Sequence, residues 1–515
     1  MVSILWVDDE IDLLKPHIIY LDQKGYNVQS SRSGDEALDL LKLRNFDLIF
    51  LDENMTGLSG LETLALIKEK YPRVPVIMIT KNEEESIMDE AIGSKISDYL
   101  IKPVNPRQIL LAIKKNIETN QLVRQKMIRK YQSEFNKLSR DISSNLDHNE
   151  WKELYKRIVF WELEIGSYSD VEISDILEMQ KVQANNQFCK FISKNYKSWL
   201  HNNNSPLLSN KVFQTKVFPE IEKNKTLYFV LIDNLRYDQW KIISSLISKD
   251  FDVVEDEIYY SILPTSTQYS RNSLFSGLLP LEIQKKFPEF WKNESDEGGK
   301  NMYEEVFLRK LVEEKFHHDI KLSYNKITNI DFGRKFVNQI NNLSNNELNV
   351  IVYNFVDMLS HARTDMKVIK ELAEDDYAYR SLTLSWFEHS PLREILRKIS
   401  DQQAKLIITT DHGTINVEKP IKIIGDRNVN SNLRYKQGKN LNYKANEVFE
   451  ISDPHSYFLP KQNISSKFIF NIEKNYFVYQ NNYNNFVNFY KNTFQHGGIS
   501  MEEILVPIIK LNSKK

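Results

Sequence analysis

Three apolar runs in this sequence end in side chains that can hold a metal ion. LYFVLI ends in Asp233, LNVIVYNFV ends in Asp357 with His361 four residues on, and KLIITT ends in Asp411-His412. Near the C-terminus, FQHGGI places His496 before two glycines. Taken singly, an Asp after a strand is ordinarily a turn residue. A lone His is ordinarily structural, as expected for His317, His318, His389 and His455. Taken together they form a donor set, because carboxylate plus neutral imidazole suits open catalytic zinc sites. They suffice for two ions, with Asp233, Asp411 and His412 on one and Asp357, His361 and His496 on the other. Paired cations serve in-line displacement at phosphorus or sulfur by stabilising the attacking and leaving oxygens.

Such chemistry needs a nucleophile. In ILPTSTQYSRNSLFSGLLP, the hydroxyls of Thr265, Ser266 and Thr267 follow Pro264, and QYSRNSLFS reads as a helix stopped by Gly277. Thr267 falls at that helix's N-terminus, where the dipole and free N–H groups favour an alkoxide or phosphate. Thr265 or Ser266 is suited to cap the helix.

A second constellation lies near the N-terminus. Asp8 and Asp9 follow ILWV, Asp52 follows DLIFL, Thr80 ends VPVIMIT, and Lys102 ends SDYLIK just before Pro103. In an open parallel sheet, ligands bind at the carboxyl ends of strands. Three carboxylates there repel one another unless a hard cation such as Mg²⁺ neutralises them. A hydroxyl and an ammonium at the same edge complete an anion site.

The elements that must position these residues fall into three segments. Over 1–118, short apolar runs alternate with helical patterns such as DEALDLLKL and LETLALIKEKYP, which predicts a doubly wound, flavodoxin-like parallel sheet. Over 119–205 the pattern is helical and amphipathic, as in WKELYKRIVFWELEI, and predicts a bundle-like connector with a solvated charged face. Over 206–515 strand–helix alternation returns, and the resemblance of this segment described below implies an α/β/α effector domain. Within it, NYNNFVNFY is expected to be a strand or loop near a turn.

The bulk composition narrows the class. The 515 residues carry a net charge of −2, so no bulk attraction to nucleic acid or membrane is expected. The one cysteine, Cys189, excludes an internal disulfide framework and fits a reducing compartment. MVSILWVDDE lacks the basic start and long apolar stretch of a signal peptide. No run approaches the roughly 18 apolar residues of a membrane span. A cytoplasmic protein is expected.

The order acid pair, acid, Thr, Lys-Pro resembles the receiver domain of two-component response regulators over about residues 1–118. The resemblance implies Asp52 as phosphoryl acceptor. It implies Mg²⁺ held by Asp8, Asp9, Asp52 and the backbone carbonyl of Asn54. Thr80 would follow the phosphoryl group, Lys102 would be its counter-ion, and Tyr99 the switch aromatic. Thr56 stands where many receivers carry proline.

PTST…SGLLP, with the Asp, Asp-x-x-x-His, Asp-His and His-Gly-Gly sets in this order, resembles the alkaline phosphatase superfamily. Its PTxT form looks like nucleotide pyrophosphatase/phosphodiesterases, which implies Thr267 as nucleophile and zinc ligand. LIDNLRYDQW and LPTSTQYSRNSLFSG look more closely like the PglZ branch, over about 210–510. Ser270 stands where the phosphodiesterases carry a phosphate-binding Asn, and either Arg271 or Asn272 is a candidate for that role.

Receiver, helical connector and PglZ-type domain in one chain resemble, over essentially the full length, the response regulators linked to type IX protein secretion. This implies a sensor histidine kinase as phosphoryl donor, a phosphorylation-promoted homodimer, and two Zn²⁺ in the effector. It also implies phosphodiesterase action on small nucleotides, and contacts with a sigma factor and a component of the secretion machinery. The competing class is a regulatory adaptor that binds such partners and uses its zinc site structurally. A DNA-binding regulator is disfavoured, since no helix-turn-helix with a basic recognition helix is evident.

Overall fold

The structure is a computed structural model that describes residues 2–72, 74–81, 96–168, 171–202, 205–294, 296–316, 318–354, 375–425, 430–461, 463–480 and 483–514. Asp357, His361 and His317 lie outside the described residues. The chain divides into two compact units, Met1–Ser133 and Glu134–Lys515.

The first unit is built on five parallel strands: β1 (Ser3–Val7), β2 (Asn27–Ser31), β3 (Leu48–Asp52), β4 (Val76–Thr80) and β5 (Asp98–Ile101). Their order is β2-β1-β3-β4-β5, so the chain reverses direction across the sheet between β1 and β3. Ligands bind at such a switch point. Helices cover both faces, which is why β1, β3 and β4 read as near-continuous apolar runs. Ile4, Trp6, Phe50 and Ile77 pack on one side against Leu21, Ile109 and Ile113. Leu5, Val7, Ile49 and Met78 pack on the other against Ala37, Leu41, Leu64 and Ile67. The edge strand β2 (NVQSS) pairs only with β1 and has no apolar run, so hydrophobic patterning does not reveal it.

The second unit begins with the helical segment and runs through the C-terminal sheet. Helices His148–Tyr168 and Val171–His201 confirm the helical reading of the connector. The strands are β6 (Leu227–Ile232), β7 (Phe251–Tyr260), β8 (Leu322–Ile327), β9 (Leu348–Tyr353), β10 (Lys405–Thr409), β11 (Ile415–Val417), β12 (Lys419–Ile423), β13 (Tyr435–Gly438), β14 (Val448–Ile451), β15 (Lys467–Asn471), β16 (Asn475–Tyr479), β17 (Thr493–Gln495) and β18 (Leu505–Ser513). The main sheet has the order β7-β18-β10-β6-β9-β8. Strands β10, β6, β9 and β8 are parallel, while β18 runs antiparallel to both β10 and β7. In the β6–β10 register, Leu231 pairs with Thr409, so Asp233 and Asp411 emerge level with each other two residues later.

One expectation is overturned. NYNNFVNFY contributes the helix Tyr483–Tyr490, neither a strand nor a loop. Tyr483, Val487 and Tyr490 pack on Ile415, Val417, Tyr476 and Val478. Their spacing of four and three is helical, and the intervening asparagines disguise it as turn composition. Among the described residues, no helix is long and apolar enough to cross a membrane.

The helix Val171–His201 is bound to the main domain through buried charge. Lys181 Nζ lies 2.9 Å from Glu162, 3.3 Å from Asp376 and 3.2 Å from Glu502. Arg236 bridges Asp238 and Asp376, and Arg380 lies 3.1 Å from Asp238. Breaking a buried ionic group by deleting one partner leaves unmatched charge inside the protein. Lys181→Met is therefore expected to destabilise the second unit by about 3–5 kcal/mol. Chemical denaturation followed by circular dichroism measures it, with the charge-keeping Lys181→Arg variant recovering most of the loss.

Candidate functional site

At the carboxyl edge of the first sheet, Asp8, Asp9 and Asp52 present oxygens that all lie within 4.8 Å of one another. Asp8 follows β1 and Asp52 ends β3, so the two strands flanking the switch point supply the group. Lys102, at the end of β5, lies 2.9 Å from Asp8 Oδ2 and 2.9 Å from Asp52 Oδ1. Asp8 Oδ1 also accepts the Glu10 N–H at 2.9 Å. The Thr80 hydroxyl donates to Glu53, a buried neighbour of Asp52 that the sequence pattern did not single out. Asn54 is exposed, and Tyr99 is 40% exposed. After Asp52 the chain turns sharply and returns beneath it, where a Cβ on Gly60 would collide with the Asp52 carbonyl. Oxygen donors in this number suit a hard divalent cation.

The second cluster sits at the corresponding edge of the main sheet. Asp233 follows β6, and Asp411-His412 follow β10, with their ligand atoms within 4.8 Å of one another and all three residues buried. Asn234 takes a left-handed backbone conformation (φ 64°) that turns the chain directly after Asp233, a geometry Asn tolerates. The Thr410 hydroxyl accepts from Leu235 N–H at 3.1 Å and donates to the His412 carbonyl at 2.9 Å, which ties the two strand ends together. His412 Nδ1 faces the Gly413 carbonyl at 3.2 Å. That carbonyl assigns the ring proton to Nδ1 and makes Nε2 the lone-pair nitrogen. His412 Nε2 lies 3.6 Å from Asp411 Oδ2, 4.0 Å from Asp233 Oδ1 and 3.2 Å from Thr267 Oγ1.

Thr267 opens a helical turn, Thr267–Arg271, that continues as the helix Asn272–Ser276 and stops at Gly277 in the left-handed conformation (φ 68°). His496 joins the cluster by stacking on His412, with ring centroids 4.2 Å apart. Its Nδ1 lies 3.2 Å from the Thr265 carbonyl. The Thr265 hydroxyl accepts Gly497 N–H at 3.1 Å and donates to the Gly498 carbonyl at 3.0 Å, so the PTST and HGG segments hold each other. A side chain on Gly497 (φ 121°) would meet Tyr435, and one on Gly498 would meet the Asn471 carbonyl at 2.6 Å.

The structure separates the three residues near the missing phosphate-binding Asn. The Ser270 hydroxyl points to the backbone carbonyls of Ile262 and Pro264. The Asn272 amide donates to the carbonyls of Gln268 at 2.8 Å and Lys300 at 3.0 Å. Arg271 instead lies against the acids, with Nε 2.9 Å from Asp411 Oδ2 and an ion pair to Asp233. Burial would raise the Asp411 carboxyl, but Arg271 and then His412 hold it down at about 2. Glu304, which sequence reasoning missed, approaches Arg271 Nη1 at 3.6 Å from the start of the helix Glu304–Lys315. No strand-end pattern marks Glu304, and only the tertiary fold brings it in. Two carboxylates, an imidazole and a hydroxyl are a donor set that fits zinc or a related divalent ion.

The receiver edge has a pH signature. Burial pushes the Asp52 carboxyl up to about 6 from 3.8, with Lys102 opposing and Asp8 and Asp9 reinforcing the rise. Between those values the folded state holds a proton that the unfolded state has lost. Stability therefore falls as pH rises through that window, and a cation that binds the ionised form restores it. Affinity for a divalent cation, probed with Mg²⁺, is expected to climb with pH up to about 6 and then level off. Titration calorimetry across that range measures it, and the Asp52→Asn variant should lose the dependence.

Three stretches of the chain match known families. Residues 4–114 match the response regulator receiver domain, 121–200 the PorX response regulator linker domain, and 212–511 the BREX system PglZ alkaline phosphatase-like domain. The transcriptional regulatory protein ResD of Bacillus subtilis is 36% identical over 112 residues, covering 22% of this chain and 46% of that protein. The alginate biosynthesis transcriptional regulatory protein AlgB of Pseudomonas putida is 36% identical over 119 residues, covering 23% of this chain and 27% of that protein. The chain thus spans less than half the length of these relatives. Among solved structures, the Vibrio cholerae chemotaxis protein CheY4 is 28% identical, covers 22% of this chain and 98% of its own, and has a TM-score of 0.22. A CheY-like receiver domain protein of Methanospirillum hungatei is 27% identical, covers 23% and 95%, and has a TM-score of 0.23. With a receiver and a PorX-type linker preceding a C-terminal domain that fills more than half its length, the chain belongs to the PglZ alkaline phosphatase-like family, in the architecture of a PorX-type response regulator.

Proposed function

We propose that phosphorylation of Asp52 by a sensor histidine kinase controls a zinc-dependent phosphodiesterase in the PglZ domain that acts on small nucleotide phosphodiesters. The observation that carries this reading is the Thr267 hydroxyl, 3.2 Å from His412 Nε2 and beside the Asp233–Asp411 pair. Asp233, Thr267, Asp411 and His412 would hold one zinc ion. His496 would join Asp357 and His361 at a second. Bound there, the cations supply Lewis-acid charge for a displacement at phosphorus. Thr267 Oγ1 forms the new bond to phosphorus as the ester oxygen leaves, and its proton departs toward solvent. Water then cleaves the threonyl phosphoester and restores the hydroxyl. The amide hydrogens of Asn272 are committed to backbone carbonyls and the guanidinium of Arg271 to Asp233 and Asp411, so neither is assigned to a nonbridging oxygen.

In this reading the domains are 1–118, 119–205 and 206–515, and the receiver uses Mg²⁺ on Asp8, Asp9, Asp52 and the Asn54 carbonyl. Thr80, Lys102 and Tyr99 respond to the phosphoryl group, and the response promotes a homodimer. The protein acts in the cytoplasm, where it contacts a sigma factor and a type IX secretion component.

The test compares hydrolysis of chromogenic phosphate mono- and diesters by metal-loaded wild type and Thr267→Ala. A loss of at least about a hundredfold is expected in the variant. Equal rates would remove Thr267 from the mechanism, and no turnover of any ester by the wild type would leave a regulatory adaptor. Labelling with acetyl phosphate tests the receiver, since Asp52→Ala should abolish it and persistent label would place the acceptor elsewhere.

A further inference from the structure

We propose that Arg271 is a resident stand-in for the metal ion, and that metal uptake at Asp233/Asp411/His412 is an exchange in which the guanidinium gives up the carboxylates and moves onto Glu304. The inference rests on reading those three residues as metal ligands.

The argument is one of shared atoms. The carboxylate oxygens that face His412 Nε2 are Asp411 Oδ2 and Asp233 Oδ1. Those are the oxygens Arg271 holds, through Nε at 2.9 Å and through Nη2. A cation held between the imidazole nitrogen and these two oxygens draws on the atoms the guanidinium already holds, so guanidinium and metal compete for them. The competition has a physical purpose. Arg271 and Asp411 are 0% exposed and Asp233 is 1% exposed. Two unmatched carboxylates at that depth would be strongly destabilising without a cation.

The other end of the guanidinium shows where it goes. Nη1 lies 3.6 Å from Glu304 Oε1 and 3.5 Å from Asn354 Oδ1. Glu304 is itself 1% exposed and is held in place by Lys326 Nζ at 3.1 Å, by Asn301 Nδ2 at 2.9 Å and by the Tyr324 hydroxyl. It is a fixed buried acceptor on the far side of the arginine from the carboxylate pair. Full transfer to it removes the guanidinium from the metal's oxygens without exposing its charge to an apolar interior. Glu304 thus acts on the metal through Arg271, as a positioning residue.

Zinc affinity measured by competition with a chromophoric chelator tests the exchange, with Asp411→Asn identifying the site being read. Arg271→Met should bind zinc at least about tenfold more tightly than wild type, and Arg271→Lys, which keeps the charge, should fall between. Glu304→Gln should weaken zinc binding while Arg271 is present and have no effect in the Arg271→Met background. Equal or weaker binding by Arg271→Met, or the same Glu304→Gln effect in both backgrounds, would overturn the exchange. Should Arg271→Met fold only with zinc, graded chelator withdrawal from the loaded protein reads the same affinity. Wild type and Arg271→Met that both take up no zinc would instead overturn the metal reading on which the exchange rests.

Discussion

Carboxylates gathered at the ends of parallel strands repel one another, and burial sharpens the repulsion. The two largest sheets of this protein are arranged around that constraint. Strands β1 and β3 deliver Asp8 and Asp52 to one edge, and β6 and β10 deliver Asp233 and Asp411 to the other. Each pair is spanned by one cation drawn from a different element. Lys102 comes from the end of β5, and Arg271 from the turn that Thr267 begins. The two cations differ in kind. An ammonium is a point charge that can sit beside a metal, whereas a planar guanidinium covers two oxygens at once.

The remainder of the second site is a problem of holding two loops still. His412 is followed by Gly413 and His496 by Gly497-Gly498, and a main chain passes too close for a side chain at Gly413 and at Gly498. A Cβ on Gly413 would collide with the Glu502 carbonyl, and one on Gly498 would reach the Asn471 carbonyl. Glu503, fully buried with Arg434, accepts Gly498 N–H at 2.8 Å, and its carbonyl accepts Gly413 N–H at 3.1 Å. One residue therefore fixes the loops that carry both imidazoles. Hydrogen bonds that hold the loop carrying an imidazole set the orientation of its ring.

Much of this was legible in the sequence because the signal is local. An apolar run followed by Asp or Asp-His declares both a buried strand and its polar end, and the spacing of PTST and HGG needs no tertiary information. The parts that were hidden are non-local. Glu304 and Glu53 matter only through the side chains they face across the fold. Arg271 and Asn272 are adjacent in the chain and equally plausible as anion binders, and only packing sends one to the acids and the other to backbone carbonyls. The strand β2 and the helix Tyr483–Tyr490 were obscured by composition, since Ser and Asn suggest turns even where pairing or a three-four apolar stripe decides otherwise.

The grip of the helix Val171–His201 on the segment before β18 has a consequence for how such proteins can be recombined. Asn185 accepts Met501 N–H at 2.8 Å and donates to Glu502 at 3.0 Å, while Cys189 Sγ lies 3.3 Å from the Ile499 carbonyl. Those residues run directly into Glu503, which secures both imidazole loops. The smallest transplantable cassette of this PglZ-type domain therefore starts upstream of the strand–helix alternation, inside the connector. A chimera cut at the apparent end of the helices would keep Asp233, Asp411 and His412 but lose the hydrogen bonds that hold the segment before β18.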